Sequence, residues 1–248
     1  MRITRTWLAA LASITVAFGP AHAAQTNVAV AANFTAPAKE IAAAFKIKTG
    51  HEAVLSFGAS GQFYVQITQD APFQILLSAD EDRPRQLVKD GLGLAAWHFT
   101  YAIGKLVLWS RAPDGVKDGN TLKAAGFTRL SIANPTAAPY GAAAIEAMKA
   151  LGVYDALQLK IVQGNSIAQG FQFIETGNAE LGFVALSQLA GNTIGSRWIV
   201  PQSLYTPIRQ DAVLLKKGEG NPAATEFLNF LKGPQARAII ERYGYVMP

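Results

Sequence analysis

The chain has 248 residues, 50% of them hydrophobic and 16% charged, with a formal net charge of +5 and no cysteine. That length can bury proper cores without staples, and the missing cysteines exclude disulfides, thiolate metal sites, cysteine nucleophiles and a lipid anchor on cysteine. Lys and Arg are scattered rather than clustered, which speaks against a nucleic-acid partner, and a mildly positive field favours the arrival of anions without selecting any.

Arg2 and Arg5 make a positive start, residues 7–18 an apolar run, Pro20 a break, and Ala21, His22 and Ala23 a small-x-small cleavage site. A retained anchor needs roughly 18 or more apolar residues, so residues 1–23 read as an export signal and the mature chain as starting at Ala24. Loss of Arg2 and Arg5 leaves a net charge of about +3. No later stretch is long and apolar enough for a membrane span.

From there strand-like and helix-like segments alternate, which predicts an α/β fold on mostly parallel sheets. Residues 27–31 form a short apolar strand, and Phe34, Ala38, Ile41, Ala42 and Phe45 follow at helical spacing, with Gly50 as the stop. Strand 53–57, helix 62–69, strand 75–78 and a helix from Asp80 or Asp82 through Val88 come next. Residues 102–110 form a longer strand near the middle of the chain. A second set follows: strand 129–133, helix 142–151, strand 160–162, helix 168–175, strand 181–185 and a short helix from Ser187. Strand 208–215 then leads to two tail helices, opened by Pro222 and Pro234. Two similar halves suggest two lobes, residues 24–103 plus 209–248 and residues 104–208, joined where strands 102–110 and 208–215 cross. Periodicity fits a single large doubly wound domain equally well.

Catalytic motifs are missing. There is no GxSxG elbow, Walker loop or GxGxxG fingerprint, and His51 and His98 stand in no metal-ligand spacing and read as solvated residues at strand starts. Asp80, Glu81 and Asp82 read as a solvated helix start rather than a cation site. The positive signal lies where strands feed helices: at Asn33, Ser60, Tyr140 with Gly141, and Ser166 with Ile167. A helix start exposes unpaired N–H groups and the positive end of its dipole. Several converging starts therefore suit an oxyanion, which only accepts hydrogen bonds, and such turns lie at the carboxyl ends of strands, where ligands bind in α/β sheets. Asn and Ser are also ordinary N-caps, present in any α/β protein, so spacing alone leaves a purely structural role open.

The segments VAVAANF (28–34), LSFGASGQ (55–62), APFQILLSAD (71–80), IANPTAAPYG (132–141), ELGFVALSQL (180–189) and FLKGPQARAIIERYGY (230–245) resemble, as an ordered set, the periplasmic molybdate-binding proteins of ABC uptake systems. The resemblance runs through nearly the whole mature chain. It implies the two-lobed type II periplasmic binding-protein fold, each lobe a mixed, mostly parallel sheet flanked by helices, joined by two crossover strands. It also implies capture of molybdate, and of tungstate, for a membrane permease, by a monomer that needs no cofactor and no direct cation ligands. Carried over by motif position, Ala32, Asn33, Ser60, Tyr140 and Ile167 would hold the anion, Asn33 and Ser60 from side chain and backbone, Tyr140 and Ile167 from backbone N–H. Two positions depart from the family pattern: Ala185 stands where one branch has a tyrosine that reaches the anion, and Gln74 where an aspartate is common. The rival readings are another oxyanion such as sulfate or phosphate on the same fold, a periplasmic enzyme on a small anionic substrate, and a sensing module for a signalling partner.

Overall fold

Runs such as Val28, Ala29 and Val30, or Leu106, Val107 and Leu108, carry apolar side chains on both faces, which only a sheet covered on both sides can bury. The computed structural model, which describes residues 23–248, contains two such sheets. The export signal read at residues 1–23 lies outside the described residues except for Ala23.

The first sheet holds β1 (Gln25–Ala31), β2 (Glu52–Gly58), β3 (Ile75–Leu77), β4 (Gly93–Gly104) and β10 (Ile208–Leu215), in the order β2-β1-β3-β10-β4. The second holds β5 (Leu106–Ser110), β6 (Leu130–Ala133), β7 (Ile161–Gly164), β8 (Leu181–Ala185) and β9 (Ser196–Ile199), in the order β7-β6-β8-β5-β9. The plan is the same in both. In each, three strands are mutually parallel, and an antiparallel strand, β10 or β5, enters from the other sheet. This resolves the alternative that periodicity left open: the chain builds two sheets, not one.

The crossing differs from the sequence expectation. Residues 102–110 are not one strand but the end of β4 and all of β5, split at Lys105 and lying in different sheets. The break falls beside Gly104, where an added Cβ would land on the Tyr140 hydroxyl, so a residue with a side chain has no room there. The return passage is residues 200–207.

The helices are α1 (Thr35–Thr49), α2 (Ser60–Thr68), α3 (Asp82–Lys89), α4 (Asn120–Ala124), α5 (Pro139–Ala150), α6 (Tyr154–Leu157), α7 (Ile167–Glu175), α8 (Pro222–Lys232) and α9 (Pro234–Arg242). Gly50 ends α1 in the left-handed conformation at φ 76°, donating its N–H to Lys46 O, a stop that favours glycine. The tail helices α8 and α9 return to the first sheet, where Phe227 meets Phe45 edge to face at 5.3 Å. Fully burying such a ring is worth roughly 1.5–3 kcal/mol. The core on the second sheet extends through Ala31, Ala32, Ala59 and Ala79 of the first half, so the two halves are packed together around those loops.

Candidate ligand-binding site

The turns after β1, β2, β6 and β7 meet between the sheets and line one small cavity, and Ala32, Asn33, Ser60, Tyr140 and Ile167 all lie on its wall. The structure thus brings together all five residues singled out from the sequence. Glycine, alanine and proline fill most of the remaining wall, and none of the lining residues is charged.

The local geometry revises how these helix starts work. Asn33 and Ser60 are not N-caps. Asn33 sits inside a short 3-10 turn over Ala32–Phe34, and Ser60 is the first residue of α2. The capping positions are Ala31, Ala59 and Ala138, none of which makes a side-chain cap bond, while only Ser166 accepts one, from Gln169 N at 3.3 Å. A Ser, Thr, Asp or Asn cap would occupy one of the free N–H groups of the first turn. Alanine leaves them to the cavity. In α5 the first residue is Pro139, which has no N–H, so Tyr140 supplies the first helical donor. Gly61 is spent otherwise: its N–H crosses to Ala137 O at 2.9 Å, and a Cβ there would press on the Ala137 backbone at 3.0 Å.

Ser60 is 1% exposed, and its Oγ accepts from Ala79 N–H at 2.9 Å. That bond orients the hydroxyl and leaves its single proton for donation. Asn33 behaves otherwise than expected from the sequence. Both protons of its side-chain nitrogen are taken by residues off the cavity wall, Gln210 Oε1 at 2.9 Å and Tyr245 Oη at 2.9 Å, so that nitrogen has none left for a ligand. The Tyr140 hydroxyl also turns away and accepts from Gln210 Nε2 at 3.1 Å. Burial pushes the phenols of Tyr101, Tyr140 and Tyr245 well above the usual tyrosine value, which keeps all three neutral. An uncharged cavity walled by helix starts and a serine hydroxyl, with no nucleophile–base pair, suits an acceptor-only anion.

The two positions that depart from the family pattern both lie off the cavity wall. Ala185 is fully buried at the end of β8, where its N–H goes to Gln188 Oε1 at 2.9 Å, and it is not part of the cavity wall. Gln74 lies at the far end of β3, where its Oε1 accepts from Asn221 Nδ2 at 2.8 Å and thereby ties the strand to the start of α8. Neither histidine is solvated as expected. His51 is buried and accepts from Ala24 N at 2.9 Å, and His98 pairs with Asp211 at 2.6 Å, because both are packed against neighbouring elements of the first half. Asp80, Glu81 and Asp82 are neutralised by Arg83, Arg85 and Arg209, and no cluster suited to a metal ion occurs among the described residues. Sequence reasoning missed Gln210, Tyr245 and Ser187. The readable signal was Gln210 and Asp211, buried polar residues that follow Arg209 in a strand whose remaining residues are apolar.

Residues 26–246 match the family model of the bacterial extracellular solute-binding proteins. The molybdate-binding protein of Rhodobacter capsulatus is 55% identical over 227 residues, 92% of this chain and 90% of its own length. That of Azotobacter vinelandii is 55% identical over 229 residues, 91% of each chain. A solved structure, the periplasmic molybdate-binding protein of Azotobacter vinelandii, matches with a TM-score of 0.87 at 42% identity, over 90% of this chain and 99% of that one. The chain therefore belongs to the bacterial extracellular solute-binding protein family, has the two-lobed type II periplasmic binding-protein fold, and is a binding protein rather than an enzyme.

Proposed function

We propose that this protein captures molybdate, and tungstate with it, in the cavity between its lobes and delivers the anion to the membrane permease of an ABC importer. The observation that carries this reading is the convergence of four helix starts, three of them capped by alanine, on one uncharged cavity. Two relatives that are molybdate-binding proteins and 55% identical to this chain support it. The donors would be the hydroxyl of Ser60 and the backbone N–H groups of Ala32, Asn33, Ser60, Tyr140 and Ile167. Hydrogen bonds from neutral donors to a charged acceptor are each worth roughly 1.5–3 kcal/mol, so several together hold a dianion without a counter-charge. Sulfate has the same shape and charge and a smaller radius, so it would leave some of these donors out of reach.

The lobes, one built on each sheet, close by a hinge at Lys105 and residues 200–207. Export removes residues 1–23, and the mature protein acts in the periplasm as a monomer. Calorimetry with molybdate, tungstate, sulfate and phosphate on the chain starting at Ala24 tests the ligand. The expected result is one tight site for molybdate and tungstate with sulfate and phosphate much weaker. Equal or tighter sulfate binding would replace molybdate by sulfate on the same architecture.

A further inference from the structure

Beneath the cavity lies a closed set of polar side chains that no ligand-binding motif accounts for. Gln210, on the strand that crosses between the sheets, is fully buried and uses both ends of its amide. Its Oε1 accepts from Asn33 Nδ2 at 2.9 Å and from Tyr101 Oη at 3.1 Å, and its Nε2 donates to Tyr140 Oη at 3.1 Å. Asn33 and Tyr140 form opposite walls of the cavity and belong to different halves of the molecule. Tyr245, from the C-terminal segment, repeats the arrangement. Its Oη accepts from Asn33 Nδ2, and its own proton has Asn33 O at 2.9 Å and Ser187 Oγ at 3.0 Å within reach. Ser187, from the second half, donates to Asn33 O at 2.8 Å. Every one of these six residues is at most 5% exposed.

We infer that Gln210 and Tyr245 are positioning residues that couple the ligand seat to lobe closure. Neither touches the cavity. Gln210 fixes the Asn33 turn of one lobe against the Tyr140 helix start of the other, so the donors from both halves face the anion together only when the lobes are closed. The inference rests on the molybdate reading above. It predicts an effect on release, because a bound anion escapes by reopening and the network holds the closed form.

The test uses Gln210→Met, which keeps the volume and removes both polar ends, and Tyr245→Phe, which removes one hydroxyl. Stopped-flow molybdate binding should show release accelerated roughly ten- to a hundredfold for Gln210→Met, and less for Tyr245→Phe, with association nearly unchanged. Because Gln210 acts through Asn33, adding Gln210→Met to Asn33→Ala should weaken molybdate by much less than the product of the two separate effects. A purely structural role would give independent effects and would lower thermal stability without changing the release-to-association split. Parent-like release in both variants, or fully independent effects in the pair, overturns the inference while leaving the ligand in place. Failure of the parent to bind molybdate overturns the ligand reading and this inference with it. If Gln210→Met does not fold, Tyr245→Phe decides by the same kinetic split.

Discussion

At the scale of single residues, Ser60 is the side chain with most to lose. Its hydroxyl accepts from Ala79 N–H and has its own proton left for the anion. Ser60→Ala removes one charge-assisted donor, worth roughly 1.5–3 kcal/mol, so molybdate affinity should fall by about one to two decades in a calorimetric titration. Parent-like affinity would remove Ser60 from the site. The buried tyrosines make a second case. Burial raises Tyr101, Tyr140 and Tyr245 above the ordinary value of 10.0, so above that pH the unfolded chain loses phenolic protons that the folded chain retains. Their contribution to stability is complete below about pH 10 and declines as the pH rises further. The thermal midpoint should drop steadily above pH 10, and Tyr245→Phe should make that drop shallower. A slope identical in the variant would show that Tyr245 titrates freely.

At the scale of elements, the strands and helices that carry the site were legible because they are strongly patterned. Val28 to Ala31 is fully apolar, the helix after it repeats at 3.6 residues, and Pro222 and Pro234 mark their helix starts outright. The missed pieces lack such signals. β9 is a four-residue edge strand, partly exposed, that pairs only with β5. α4 has five residues and ends at Ala125 in the left-handed region at φ 50°, a conformation no sequence pattern announces for alanine. The outer part of β4 is half-exposed and alternates weakly. The caps were misplaced by one or two residues because Asn33 and Ser60 are good N-cap types, whereas the actual caps are alanines chosen, in physical terms, for what they do not bond. Between the two halves, Arg83, the second residue of α3, is held by Asp80 and donates from Nη2 to Thr136 O of the other half at 2.8 Å. Arg83→Gln should speed molybdate release by roughly three- to tenfold, the value of one partly exposed hydrogen bond, with equilibrium stability little changed. Unaltered release in stopped flow would show that this contact does not contribute to closure.

At the scale of the whole molecule, the two halves repeat one strand plan, and each contributes two of the four helix starts to the cavity. Composition and periodicity could not show this. The association of Asn33 with Gln210, 177 residues apart, and with Tyr245, 212 apart, depends on where the chain crosses between sheets. The sequence resemblance identified the five wall residues, and the fold explains why they converge, but the polar lattice that orients them is visible only in three dimensions. The proposed seat of the anion is among these helix starts. The most direct measurement is the diffraction of molybdate-saturated crystals at the molybdenum absorption edge. A single strong anomalous peak is expected in the cavity, within hydrogen-bonding range of Ser60 Oγ and of backbone nitrogens from both halves, including Tyr140 and Ile167. A peak elsewhere, or none at saturation, would contradict that placement.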